Sequence, residues 1–97
     1  MTILDPDGLE LATFDELVPV DGLRVAEIGC GDGRFTFRYA GRAASVLAVD
    51  PDEEAIESAR SELPRALRSH VRFERADARE FELPAREFDL ALFAWSL

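Results

Sequence analysis

Cysteine and histidine each occur once, as Cys30 and His70, and lysine does not occur at all. A lone thiol closes no internal disulfide, and one cysteine beside one histidine cannot build a cysteine-rich zinc site, so a packed core must hold the fold together. No apolar run approaches the roughly 18 residues of a membrane span. The opening Met1-Thr2-Ile3-Leu4-Asp5-Pro6-Asp7 has no basic start leading into an apolar stretch, so no signal peptide is expected and the chain reads as cytoplasmic. All eleven cations are arginine, outnumbered by twenty acids, for a formal charge of −9 over 97 residues. Affinity for a phosphate backbone comes from clustered cations, so nucleic acid is not an expected partner of this segment. Repeats, low-complexity tracts and long linkers are also absent. What remains, 47% hydrophobic and 32% charged residues, is the composition of one small globular domain.

Short apolar runs alternate with amphipathic stretches, the pattern of βαβ units. The first run, Arg24-Val25-Ala26-Glu27-Ile28, ends at Gly29 and is followed by a short helix from Gly33 to about Arg42, with Gly41 as its stop. The second, Ser45 to Val49, is apolar on both faces, as a central parallel strand should be, and ends at Asp50. Asp52 is then a helix N-cap, with Glu53 and Glu54 in the first turn and an apolar stripe of Ile56, Ala59 and Leu63 up to Pro64. Val71 to Arg75 alternates apolar with charged residues, the mark of an edge strand. Phe88 to Trp95 is apolar almost throughout and reads as a strand buried on both faces. Residues 1–23 form a lead segment, with a short helix expected around Phe14 to Val18; residues 24–97 form the α/β unit. Right-handed crossovers put the four strands in the order 3-2-1-4, a Rossmann-like parallel sheet with flanking helices. That order leaves the apolar fourth strand at an edge. The expectation is therefore an incomplete domain, truncated at its C-terminus, or self-association or a partner chain at that strand.

Glu27-Ile28-Gly29-Cys30-Gly31-Asp32-Gly33 carries glycines at alternate positions between a strand and a helix. Glycine accepts positive φ and has no Cβ, so the backbone can turn tightly and approach a ligand closely. Asp50, at the end of the second strand, is placed to accept hydrogen bonds from both hydroxyls of a ribose. The strand ends of a parallel sheet share one rim, so Gly29, Asp50, Asp77 and Phe93 converge on a site for one adenosine-sized ligand.

In this order, Val25 to Gly33, then Val49-Asp50-Pro51-Asp52, then Arg75-Ala76-Asp77-Ala78, then Phe88-Asp89-Leu90, the sequence resembles the class I S-adenosylmethionine-dependent methyltransferases over about residues 22–97. The resemblance implies that S-adenosylmethionine is the cofactor. It implies that Glu27 with Gly29, Cys30, Gly31, Asp32 and Gly33 receives the methionine portion. Asp50, next to Pro51, would hold the ribose, Asp77 with Ala78 would meet the adenine amino group, and Phe93 with Ala94 would lie near the methyl-transfer site. It leaves the acceptor open, and it requires no catalytic acid or base and no metal.

A nicotinamide-binding domain would place a third glycine where Arg34 stands, so the spacing favours the methyltransferase pattern. Cys30 reads as a small filler of the turn, His70 as a solvated loop residue, and Trp95 as core. The other functional class is a non-enzymatic module that binds the cofactor or pairs with a partner chain through the fourth strand.

Overall fold

The parallel register sets Ile28, Val49, Glu74 and Phe93 in one row across the sheet, each the last or next-to-last residue of its strand. The computed structural model describes residues 2–4, 20–77 and 86–94. Its strands are β1 (Thr2–Leu4), β2 (Arg24–Ile28), β3 (Ser45–Asp50), β4 (Val71–Arg75) and β5 (Leu90–Phe93). Its helices are α1 (Arg34–Tyr39), which tightens into a 3₁₀ turn over Ala40–Arg42, and α2 (Glu53–Glu62). The sheet order is β1-β5-β2-β3-β4, and every pairing is parallel.

The four strands read from the sequence thus take the order 3-2-1-4. The fifth corrects one expectation, because β1 pairs with the outer side of β5, with Thr2 opposite Leu90 and Leu4 opposite Leu92. The apolar β5 is thus an inner strand rather than an exposed edge. The helix expected around Phe14 to Val18, Trp95 and Ala78 lie outside the described residues.

Alternate residues of β2, β3, β4 and β5 face the helices. Val25, Val46, Val71, Leu90 and Leu92 share one core cluster with Phe35 and Tyr39 of α1 and Ile56 and Ala59 of α2. β4 alternates as an edge strand should, with Val71 and Phe73 buried and Arg72 exposed. α2 is capped as its sequence suggests: the Asp52 carboxylate accepts from Glu54 N at 3.0 Å and Ala55 N at 3.3 Å. It stops at Glu62 because Leu63, preceding a proline, is forced to extended backbone (φ −60°, ψ 115°).

Two fastenings were not legible in the sequence. Arg24 grips Asp89 through its backbone N (2.9 Å), Nε (3.1 Å) and a terminal guanidinium nitrogen (3.0 Å), joining the starts of β2 and β5. The hydrogen bonds from Arg24 hold the Asp89 carboxyl down at about 2. His70, expected to be solvated, is half-buried and braces the α1 end instead, its Nε2 lying 3.0 Å from the Ala40 carbonyl oxygen.

The last glycine of the turn is fixed by packing as well as by its φ of 86°. A Cβ on Gly33 would lie 3.0 Å from the Phe73 ring and 3.1 Å from the Phe37 ring. Gly33→Ala combines a left-handed backbone conformation with overpacking and is expected to cost at least about 2 kcal/mol of stability. Denaturant unfolding of the two proteins measures it, and an unchanged midpoint would show that the turn relaxes without strain.

Candidate functional site

The parallel ladder continues past the strand ends and draws the connecting loops together at the carboxyl rim. Gly29 N and Cys30 N donate to the Val49 carbonyl at 2.8 and 3.1 Å, Ala76 N to the Asp50 carbonyl at 3.0 Å, and Ala94 N to the Ile28 carbonyl at 2.8 Å. The turn from β2 to α1 therefore lies directly over the end of β3. Its middle glycine has φ of 57°, and a Cβ there would meet no atom within 4 Å, so the space above Gly31 is open.

Asp50 locks this geometry. Its Oδ2 accepts from Gly31 N at 2.9 Å and its Oδ1 accepts from Asp52 N at 2.9 Å, so one carboxylate ties the glycine turn to the entry of α2. A carboxylate has about four acceptor positions, which leaves Asp50 capacity for further donors. Asp32 accepts from Arg34 N at 3.2 Å and pairs with the Arg34 Nε, at 3.2 Å to one oxygen and 3.3 Å to the other, which fixes the first residue of α1.

Between these groups lies a cleft of about 680 Å³, within the range of small-molecule and cofactor pockets. Of the residues expected at a ligand site, Gly29, Cys30, Gly31, Asp32 and Asp50 line it. The others stand around it. Glu27 is buried beneath the turn, Gly33 packs on Phe73, and Pro51 is exposed beside Asp50. Phe93 is the half-buried last residue of β5, and its neighbour Ala94 reaches the cleft. Asp77 is half-buried two residues beyond β4. Arg34, Phe35 and Arg38 of α1 and Ala55 of α2 also line the cleft, and the sequence reading gave them no such place. The signal for the arginines was their four-residue spacing on one helix face. Which way that face points depended on how α1 packs. Among the described residues, no group of three or more His, Cys, Asp or Glu could hold a metal.

Glu27 is the least ordinary group here. It is fully buried, and its Oε1 accepts from Thr36 Oγ1 at 2.7 Å and from Tyr39 OH at 2.6 Å. Its Oε2 has no hydrogen-bond partner among the described residues. Burial pushes the carboxyl up to about 7; the Tyr39 and Thr36 hydroxyls oppose that rise and the charge of Asp50 adds to it. Cys30 is a buried filler, as expected, and its thiol is raised, first by burial and then by the nearby Glu27 and Asp50 charges, so it is no nucleophile at neutral pH.

A parallel sheet with a glycine turn after one strand, an acid ending the next, and a cleft at the rim between them defines a Rossmann-like α/β domain. Comparison with known proteins narrows this. The family described as "Methyltransferase domain" matches residues 25–97. The chain belongs to that methyltransferase family. It is 36% identical over 78 residues to an uncharacterized methyltransferase of Mycobacterium tuberculosis, covering 80% of this chain and 38% of the relative. It is 35% identical over 95 residues to aklanonic acid methyltransferase of a Streptomyces species, covering 95% of this chain and 42% of the relative. The crystal structure of an S-adenosylmethionine-dependent methyltransferase from Mesorhizobium loti superposes with a TM-score of 0.69 at 34% identity, covering 86% of this chain and 36% of that one. The chain thus spans about two fifths of the length of these proteins. No described helix is long and apolar enough to cross a membrane.

The raised Glu27 carboxyl has a pH signature of definite sign. Its unfolded value is near 4.5 and its folded value near 7, so the native state holds a proton that the unfolded chain has released between those values. The stability attached to that proton is complete below about pH 4.5 and is lost as the pH rises through about 7, a change on the order of 3 kcal/mol. Glu27→Gln cannot ionise. Its stability relative to the parent protein is expected to grow across that window and to level off above it, measured by urea unfolding from about pH 4.5 to about pH 8. A difference constant with pH would mean that Glu27 titrates normally.

Proposed function

We propose that the cleft binds S-adenosylmethionine and that the protein containing this chain transfers the cofactor's methyl group to an acceptor nucleophile. The observation that carries this reading is the contact between the Asp50 carboxylate and Gly31 N beneath the open space above Gly31. A sugar hydroxyl pair and a close-approaching ligand backbone fit that combination of a partly committed acid and a bare peptide.

In this reading Asp50, flanked by Pro51, accepts from the ribose hydroxyls. Gly29, Cys30, Gly31, Asp32 and Gly33, with Glu27 beneath them, receive the methionine portion. Asp77 with Ala78 meets the adenine amino group, and Phe93 and Ala94 border the reacting methyl. When bound, the cofactor supplies an already activated methyl group on a sulfonium. The chain's contribution is then alignment and exclusion of water rather than proton transfer, so no acid or base is assigned. The dinucleotide alternative is disfavoured by Arg34. That position begins α1 with a side chain 90% exposed, whereas the close packing that a third glycine would serve occurs at Gly33 against Phe73.

Isothermal titration with S-adenosylhomocysteine and with NAD tests the reading. S-adenosylhomocysteine is expected to bind the more tightly, and the reverse order would overturn the cofactor assignment. Asp50→Ala is expected to lower S-adenosylhomocysteine affinity by about ten- to a hundredfold, the worth of charge-assisted hydrogen bonds. It also removes the acceptor of Gly31 N and Asp52 N, so a loss of thermal stability accompanies it. Asp50→Asn keeps one acceptor oxygen and sets its NH2 against one of those two backbone donors, so an intermediate loss of affinity is expected. Parental affinity in a folded Asp50→Ala protein would remove the ribose role.

A further inference from the structure

Charge is unevenly spread along the chain. Residues 60–76 carry five arginines against two acids, Glu62 and Glu74, a formal +3 within a chain of −9. They run from the end of α2 through a 3₁₀ turn over Arg65–Leu67 into β4, the outer strand of the sheet. Arg72 is neutralised by Glu74. Arg60, Arg65, Arg68 and Arg75 are exposed, and none of them pairs with a carboxylate among the described residues. The strand edge beside them is open. Val46 N donates to the His70 carbonyl and Ala76 N to the Asp50 carbonyl, so the even-numbered residues of β4 bond to β3. The backbone N–H and C=O groups of Val71, Phe73 and Arg75 therefore point away from the sheet, and no described strand pairs with them. Arg60 Nε donates to the Phe73 carbonyl at 2.9 Å and so covers the middle of this edge.

We propose that the outer edge of β4 docks an acidic, extended segment of a partner protein, which adds to the sheet as one more strand. This is independent of the reading of the cleft, because neither these arginines nor any residue of β4 is among its described lining residues. A peptide strand supplies both N–H and C=O to the outward groups, and its carboxylates meet the arginines. A carboxylate that takes up the Arg60 guanidinium frees the Phe73 carbonyl for the strand's own N–H, whereas a neutral strand meets a blocked acceptor. Phosphate groups fit less well, since they offer acceptors only and leave the outward carbonyls without donors. A long polyanion would also run onto Glu53 and Glu57, which precede Arg60 by seven and three residues on the same side of α2. A second copy of the chain would bring two positive stripes together.

Fluorescence anisotropy with a labelled peptide of alternating glutamate and threonine tests this on the protein containing this chain. The peptide is expected to bind at low salt, and about tenfold or more weakly when glutamine replaces glutamate. A version methylated at alternate backbone nitrogens keeps the charge but loses the strand donors, and a similar loss is expected for it. The Arg65→Gln, Arg68→Gln double variant should lower affinity about fivefold, and because both side chains are exposed its melting temperature should match the parent protein. Arg60→Ala should narrow the preference for the acidic over the neutral peptide. Bound peptide should slow hydrogen exchange at the amides of Val71, Phe73 and Arg75. Equal binding of the methylated peptide would reduce the edge to a charged surface, and tighter binding of a single-stranded RNA of equal charge would assign it to nucleic acid. A dimer that protects the same three amides without peptide would assign it to a second copy. Each of these outcomes overturns the proposal, as does parental affinity in the double variant or no binding of the acidic peptide at all.

Discussion

The Asp50 carboxylate is the contact on which the rim depends. Three chain segments turn where β2, β3 and β4 end, and each turn leaves backbone N–H groups that the sheet no longer satisfies. Asp50 takes one from the glycine turn at Gly31 and one from the entry to α2 at Asp52. Asp52 in turn caps α2 by accepting from Glu54 and Ala55, and the Asp50 carbonyl accepts from Ala76 beyond β4. Three connections are thereby referenced to one residue at the end of a buried strand. Because a carboxylate accepts more bonds than these two, structural anchoring and ligand recognition are compatible in the same side chain.

Beneath the turn, Glu27 sets the roll of α1. Its Oε1 receives hydroxyls from Thr36 and Tyr39, both on that helix, so the buried acid orients the face that carries Arg34 and Arg38 toward the cleft. A buried carboxyl is costly when charged, and here two hydroxyl donors offset that cost only in part. The group therefore sits close to the midpoint of its titration at neutral pH.

The two rims of the sheet are built for different purposes. At the amino ends, Arg24 and Asp89 close on each other, and β1 covers the outer side of β5. At the carboxyl ends, the strands stop in register and their loops diverge around a cleft. That asymmetry follows from the parallel sheet. Every crossover helix begins at the carboxyl rim, so turns with open backbone donors collect there.

The sequence by itself determined the local features whose cause lies within a few residues. These are the four strand runs, the glycine turn, the Asp52 cap, the break at Pro64 and the alternation that marks β4 as an edge. Their 3-2-1-4 order followed from the handedness of short crossovers, and the place of Asp50 at the rim followed from the strand that precedes it. Tertiary structure decided what depends on pairs distant along the chain. The partner of Arg24 is 65 residues away, and the occupant of the β5 edge comes from the opposite terminus. His70 became a brace because Ala40 was brought beside it. Gly33 needs to be glycine because Phe73, forty residues on, packs against it. The arginine face of α1 lines the cleft because a buried acid on β2 fixes the helix. Hydrogen bonding and close packing act over a few ångströms of space, whereas periodicity reports only neighbours in the chain.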